Sequence, residues 1–230
     1  MRVRFSPSSE AKFGIPAIGL LAALSIGIGG LGACGGTQPP VSPGETAKNP
    51  GMTNSVDYPK GPYGYTQGSI IENLQLTGQV DSNSDGLITP QDVIKPLHLS
   101  DYYQDKTIKA MFIGVAAGWC GPCKAEQPNL VALYNSYGGR KGKVAFLEAI
   151  IENADHQPAD MTFVDTWATT YKIPFDMASD PTSALGPYYN QAAFPMQMII
   201  KMSDMSIVWQ QNGAPVEEVK TQIDAVLAGM

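Results

Sequence analysis

Apolar residues along this chain gather in a few runs whose spacing predicts the elements. Residues 108–115 (IKAMFIGV) and 143–151 (KVAFLEAII) are near-continuous apolar stretches with β-branched members, the length of buried strands. From Lys124 to Tyr137 the period changes. Leu130, Leu133, Tyr134 and Tyr137 recur at helical spacing, and Gly138-Gly139 supplies a stop. A second helix is expected over 160–172, with Phe163, Val164, Trp167 and Tyr171 on one side. Lys172 to Phe175 leads to a short strand or loop, and 181–190 is turn-rich or briefly helical. Met196–Lys201 and Ser206–Gln210 read as two strands, with Ser203-Asp204 in the turn between them. Pro215 opens a last helix whose apolar positions are Val216, Val219, Ile223, Val226 and Leu227. Strand, helix, strand, helix, strand, strand, helix is an α/β order.

The first 64 residues show a different pattern. Arg2, Arg4 and Lys12 stand against a single Glu10, and an apolar, Gly-rich stretch runs from Ile15 to Ala33. A basic start, an apolar centre and small residues before a cut are the layout of a secretory signal. Leu31-Gly32-Ala33-Cys34 resembles a bacterial lipobox, and the resemblance implies cleavage before Cys34 and a lipid on its sulfur. An uncleaved membrane helix is the other reading. Gly19, Gly27, Gly29, Gly30 and Gly32 weigh against it, since glycine weakens a helix. Either way the remainder is expected outside the cytoplasm, on the periplasmic side of a bacterial envelope. Gly35 rather than aspartate after Cys34 favours the outer membrane where there is one. Residues 35–64 hold six Gly and six Pro and almost no aliphatic residue, the composition of a tether. The expected organisation is a signal at 1–33, an anchored linker at 34–64 and one folded domain at 65–230.

Charge and cysteine count narrow the chemistry. The 230 residues carry 15 Lys and Arg against 21 Asp and Glu, so a nucleic-acid partner is not expected. With 43% apolar residues there is material for a core. The cysteines number three, Cys34, Cys120 and Cys123, which excludes a framework built only of paired disulfides.

Cys120 and Cys123 lie where the strand at 108–115 hands over to the helix from Lys124. The first turn of a helix has unpaired N–H groups and a partial positive charge, which stabilise a thiolate. Cys120 is thus expected at the exposed helix end as nucleophile. Cys123, one turn on and more buried, would resolve the mixed disulfide, with Pro122 fixing the turn. Two other readings stand beside this one. A zinc half-site would need two further ligands, and His98 and His156 are isolated in sequence. A structural disulfide would close only two intervening residues and add little stability.

Trp119-Cys120-Gly121-Pro122-Cys123-Lys124 resembles the thioredoxin active-site motif, and Lys124-Ala125-Glu126-Gln127-Pro128 is similar to its TlpA/ResA branch of envelope thiol–disulfide oxidoreductases. The resemblance covers residues 66–229. It implies a thioredoxin-like α/β fold, a central mixed sheet flanked by helices with an N-terminal β extension. It implies catalytic roles for Cys120 and Cys123, and proton handling near them for Glu126, whose plain reading is a solvated helix residue. Substrate contact is implied for Trp119, Gly121 and Pro122, and for Phe194 and Pro195, the latter as a cis-proline facing the cysteines; an ordinary strand-start proline is the alternative. In thioredoxin a buried aspartate occupies the strand before the motif, and the matching position here is Gly114. With no carboxylate in 108–118, Glu126 or water is left to move the proton.

Residues 81–92 read DSNSDGLITPQD. Asp81, Asn83, Asp85, Leu87 through its carbonyl, Thr89 and Asp92 fall at calcium-loop positions, with Gly86 at the sharp turn. The loop resembles those of EF-hand and dockerin modules and implies a structural Ca²⁺. The stretch before it alternates like a strand, and Pro96 limits any following helix to about a turn and a half. A hairpin loop is therefore the alternative.

The expected function is a lipid-anchored oxidoreductase needing no cofactor for its redox chemistry. Its partners would be envelope protein thiols and disulfides and an upstream thiol–disulfide electron donor. Gly-Pro between the cysteines favours a reductant, near about −270 mV rather than about −120 mV. The alternatives are a calcium-stabilised binding lipoprotein with a structural CxxC, and a thiol peroxidase. A peroxidase would need a Pro-x-x-x-Thr-x-x-Cys motif, absent before Cys120, and a copper chaperone of the Sco kind would need CxxxC and a later histidine.

Overall fold

The computed structural model describes residues 58–229; the signal, Cys34 and most of the tether lie outside them. Seven strands form one mixed sheet. They are β1 (Gln75–Gln79), β2 (Ile94–His98), β3 (Ala110–Ala116), β4 (Val144–Ile150), β5 (Asp176–Ser179), β6 (Met196–Lys201) and β7 (Ser206–Asn212). The helices are α1 (Leu99–Gln104), α2 (Gly121–Ser136), α3 (Met161–Tyr171) and α4 (Val216–Ala228). The spatial order is β2-β1-β5-β4-β3-β6-β7, with β3, β4 and β5 parallel and the remaining pairs antiparallel.

The centre of the sheet follows from the apolar runs. All seven residues of β3 are buried, as are six of seven in β4, which is what a strand covered on both faces requires. The crossovers β3-α2-β4 and β4-α3-β5 run in the same direction across the sheet. Their right-handedness sets α2 and α3 on one face, where α4 also packs against α2, β3 and β6. On this face Phe112, Phe146, Tyr134 and Phe175 form an aromatic cluster with centroid spacings of 5.0–5.7 Å. Truncating fully buried Leu130 of α2 to alanine would cost about 2–5 kcal/mol. The Asp160 carboxylate caps α3 by accepting the Phe163 N–H at 2.8 Å.

Two expectations need correction. The tether ends before Gly64. Tyr58 O–H donates to the Ile71 carbonyl at 3.0 Å, and residues 68–71 exchange backbone hydrogen bonds with Met205 and Ile207, covering one end of the outer edge of β7. The stretch after residue 92 holds no helix at first. Ile94–His98 is a strand pairing antiparallel with β1, so the 81–92 loop joins two strands of the N-terminal extension. The alternation before the loop needed a partner, and the chain doubling back provides it.

Candidate active site

Cys120 and Cys123 meet at the carboxyl end of β3, where the chain turns into α2. They form a disulfide with Cα atoms 5.3 Å apart. Cys120 is the N-cap of α2, and its sulfur accepts the Cys123 backbone N–H at 3.1 Å. That N–H and the helix dipole would stabilise a thiolate on Cys120 once the bond opens. The exposed sulfur expected there is in fact covered: Cys120 is 3% exposed and Cys123 0%. Trp119, 37% exposed, takes the solvent-facing position, its ring edge-to-face with Phe194 at 5.5 Å. The Phe194–Pro195 peptide bond is cis, and the Pro195 carbonyl accepts the Gly213 N–H at 2.7 Å. Pro122, Glu126, Pro195, Ala214 and Glu217 line a cleft of about 380 Å³. Most of the sequence-predicted residues around the cysteines are thus brought together.

Sequence reasoning missed several neighbours. Trp119 donates its indole N–H to Glu152 at 2.6 Å and stacks on His156 at 5.0 Å, in the loop after β4. Tyr189 packs edge-on against Phe194 at 5.5 Å. No motif spacing links these residues to the cysteines; only the end of a neighbouring strand does.

Beneath the disulfide lies a polar layer. In the sheet Gly114 pairs with Glu148 on β4 and with Gln197 on β6, so the three form a row across adjacent strands. Glu148 is 1% exposed. Its carboxylate accepts from Gln127 Nε2 at 2.8 Å and from Trp167 Nε1 at 3.3 Å. Gln127 Nε2 also donates to the Cys123 carbonyl at 3.0 Å. Glu126 is largely covered and accepts from Gln197 Nε2 at 2.7 Å. Burial, then the like charge of Glu148, push the Glu126 carboxyl up to about 8 against the pull of Gln197. Burial pushes Glu148 up to about 7, opposed by its two hydrogen bonds. The Gly114 position lacks a carboxylate, as expected, but a neighbouring strand supplies one, which a search limited to 108–118 could not find.

The loop at 81–92 is closed by protein donors. Asp92 accepts from the N–H groups of Ser82, Asn83 and Thr89 and from the hydroxyls of Ser82 and Thr89. Asp81 accepts from the N–H groups of Asp85 and Gly86, and the Arg140 guanidinium stands 3.3 Å from it. The Asn83 and Asp85 side chains are likewise turned onto the backbone N–H groups of Asp85 and Leu87. Among the described residues no group of three or more His, Cys, Asp or Glu is placed to hold a metal ion. In the set Asp81, Asn83, Asp85, Leu87, Thr89 and Asp92 the side-chain oxygens of Asp81, Asn83, Asp85 and Asp92 thus accept from protein donors, and Arg140 places a positive charge beside Asp81. Arg140 also binds buried Asp176 at 2.9 Å, tying the loop to β5.

A disulfide at a helix N-terminus, a cis-proline loop beside it and a central mixed sheet define a thioredoxin-like oxidoreductase. The model of the AhpC/TSA family matches residues 85–201, half of the chain, and the chain belongs to that family. No curated protein matches it. Solved structures with this fold include an uncharacterized conserved protein from Geobacillus kaustophilus, 24% identical, covering 72% of this chain and 84% of that one with a TM-score of 0.53. A secreted thiol-disulfide isomerase from Corynebacterium glutamicum is 10% identical over 70% of this chain and 86% of its own, TM-score 0.52. A reduced 2-Cys peroxiredoxin from Plasmodium vivax is 14% identical over 70% of this chain and 82% of its own, TM-score 0.50.

Proposed function

We propose that this chain is a lipid-anchored envelope oxidoreductase that reduces disulfides in extracytoplasmic proteins. The observation that carries the reading is the Cys120–Cys123 disulfide capping α2, with the Cys123 N–H on the Cys120 sulfur. In the reduced form the Cys120 thiolate attacks a substrate disulfide. One substrate sulfur leaves with the bonding electron pair, and a mixed disulfide forms on Cys120. Cys123, deprotonated, then attacks the Cys120 sulfur and releases the second substrate thiolate, which restores the disulfide. Trp119, Gly121, Pro122, Phe194 and Pro195 would hold the substrate chain, and Glu126 would handle the proton of Cys123. An upstream dithiol in the envelope would return the protein to its reduced form. Calcium has no part in this reading.

The envelope location and the lipid on Cys34 rest on the sequence of residues 1–34 and on the secreted character printed for the Corynebacterium structure. Incorporation of labelled fatty acid, lost in Cys34→Ser, tests the anchor. A thiol peroxidase is the second reading, supported by the peroxiredoxin among the similar structures. The missing peroxidatic motif before Cys120 weighs against it.

Insulin reduction decides between them. Cys120→Ser is expected to abolish turnover and Cys123→Ser to accumulate mixed disulfides with partners, whose mass spectrometry would name the substrates. Undiminished reduction by Cys120→Ser would overturn the assignment, and efficient peroxide turnover without insulin reduction would favour the peroxidase.

A further inference from the structure

The fully enclosed carboxyl group of Glu148 has no part in the mechanism above, yet it lies in the polar layer under Cys123. Around it α2 presents Cys123 and Glu126, and α3 presents Trp167 and Tyr171. In register with it across the sheet stand Gly114 and Met177, and beyond Gly114 stands Gln197, none of them titratable. Among the described residues no lysine, arginine or histidine is paired with Glu148 or with Glu126, and Glu126 shares its cleft with another acid, Glu217. Two carboxylates within interaction range in an interior without a counter-cation cannot both stay ionised at low cost.

Gly114 lies alongside the glutamate. A Cβ there would meet Glu148 Cγ at an ordinary 3.6 Å and would crowd the Phe112 ring at 3.1 Å. Gln127 ties this layer to the cysteines, its Nε2 donating both to Glu148 at 2.8 Å and to the Cys123 carbonyl at 3.0 Å.

We propose that Glu148 and Glu126 share a proton beneath the active site, with Glu148 as the internal, positioning member that sets when Glu126 and Cys123 exchange theirs. This rests on the oxidoreductase reading of the cysteines. When an incoming thiolate attacks the Cys120 sulfur, the Cys120–Cys123 bond breaks and its electron pair stays on Cys123. The carboxyl pair gives its proton to that sulfur, leaving a neutral Cys123 thiol and one additional carboxylate charge. In the opposite direction the pair takes the proton back as Cys123 attacks the mixed disulfide. Glu126, at the cleft, exchanges with solvent, whereas Glu148 is enclosed.

Two measurements test this. The first needs no variant. The infrared difference spectrum between oxidised and reduced protein at about pH 7 should show loss of a protonated-carboxyl band on reduction, shifting in deuterium oxide. The second is ultraviolet titration of the thiolates in the reduced protein. Glu148→Gln should lower the ionisation of Cys123 by about one pH unit, a tenfold gain in thiolate at fixed pH, because a like charge is removed. It should also remove or shift the band, as should Glu126→Gln. A purely structural role for Glu148 would move neither. No carboxyl band in the wild type, or a Glu148→Gln protein with band and Cys123 ionisation unchanged, overturns the proposal. Should Glu148→Gln fail to fold, the wild-type spectrum and Glu126→Gln decide. Insulin reduction in the same preparation separates the two readings: active protein without the band refutes the shared proton alone, and inactive protein with the band refutes the oxidoreductase assignment.

Discussion

Glu148→Gln is expected to change how stability depends on pH. In the folded protein burial raises this carboxyl from 4.5 to about 7. The native state thus keeps a proton that the unfolded chain has already lost, so stability falls as pH rises from about 4.5 to about 7 and stays lowered above. A displacement of about two and a half units is worth about 3 kcal/mol once fully developed, with only about 1 kcal/mol of it present at pH 5. Glutamine imitates the protonated form without titrating. Its Oε1 can accept from Trp167, while its Nε2 meets the Gln127 amide that donates to the native carboxylate, a loss that does not vary with pH. The stability of the variant relative to the wild type should therefore improve by about 2–3 kcal/mol between pH 5 and pH 8. In urea titrations of the oxidised protein this is a relative midpoint shift of about 1 M, given slopes of about 2–3 kcal/mol/M for a domain of this size. A difference that stays flat across this range, or one that worsens toward pH 8, would refute the reasoning.

Other consequences follow from the same structure. Asp92→Ala leaves the N–H groups of Ser82, Asn83 and Thr89 without their acceptor and should destabilise the domain by about 1–3 kcal/mol, measured as a lower Tm. Because the loop is closed by these bonds, a chelator should leave the Tm of the wild type unchanged; a Tm that climbs with added calcium would restore the ion to the loop. Gly118→Ala places a Cβ 2.6 Å from the backbone of Asn153 and Ala154, so the loop carrying Glu152 and His156 must shift. Its expected cost is about 1–3 kcal/mol together with slower insulin reduction, and an unaffected Tm would contradict the close approach.

The buried strands β3 and β4, the helices α2, α3 and α4, and the position of the cysteine pair at a strand-to-helix junction were legible along the chain. Each is encoded locally: a run of Val, Ile, Met and Phe has one way to be covered, and a period of 3.6 has one face to bury. The 81–92 loop shows where local pattern runs out. Its oxygen spacing resembles a calcium loop, but its place between two strands comes from the pairing of Ile94–His98 with Gln75–Gln79, a contact between segments rather than within one.

What the sequence by itself determined is the cysteine pair at a helix start and the element order around it, because Cys120, Cys123 and the helix that follows them are neighbours in the chain. The tertiary structure alone decided the environment of that pair. Glu148 lies 25 residues beyond Cys123 and Gln197 49 residues beyond Glu148, yet strand register sets both beside Gly114. Register depends on which strands become adjacent and in what phase, and no local preference specifies that. A glutamate in an apolar strand is ambiguous in sequence. Its enclosure under a disulfide, with no cation paired to it among the described residues, is set by the fold alone.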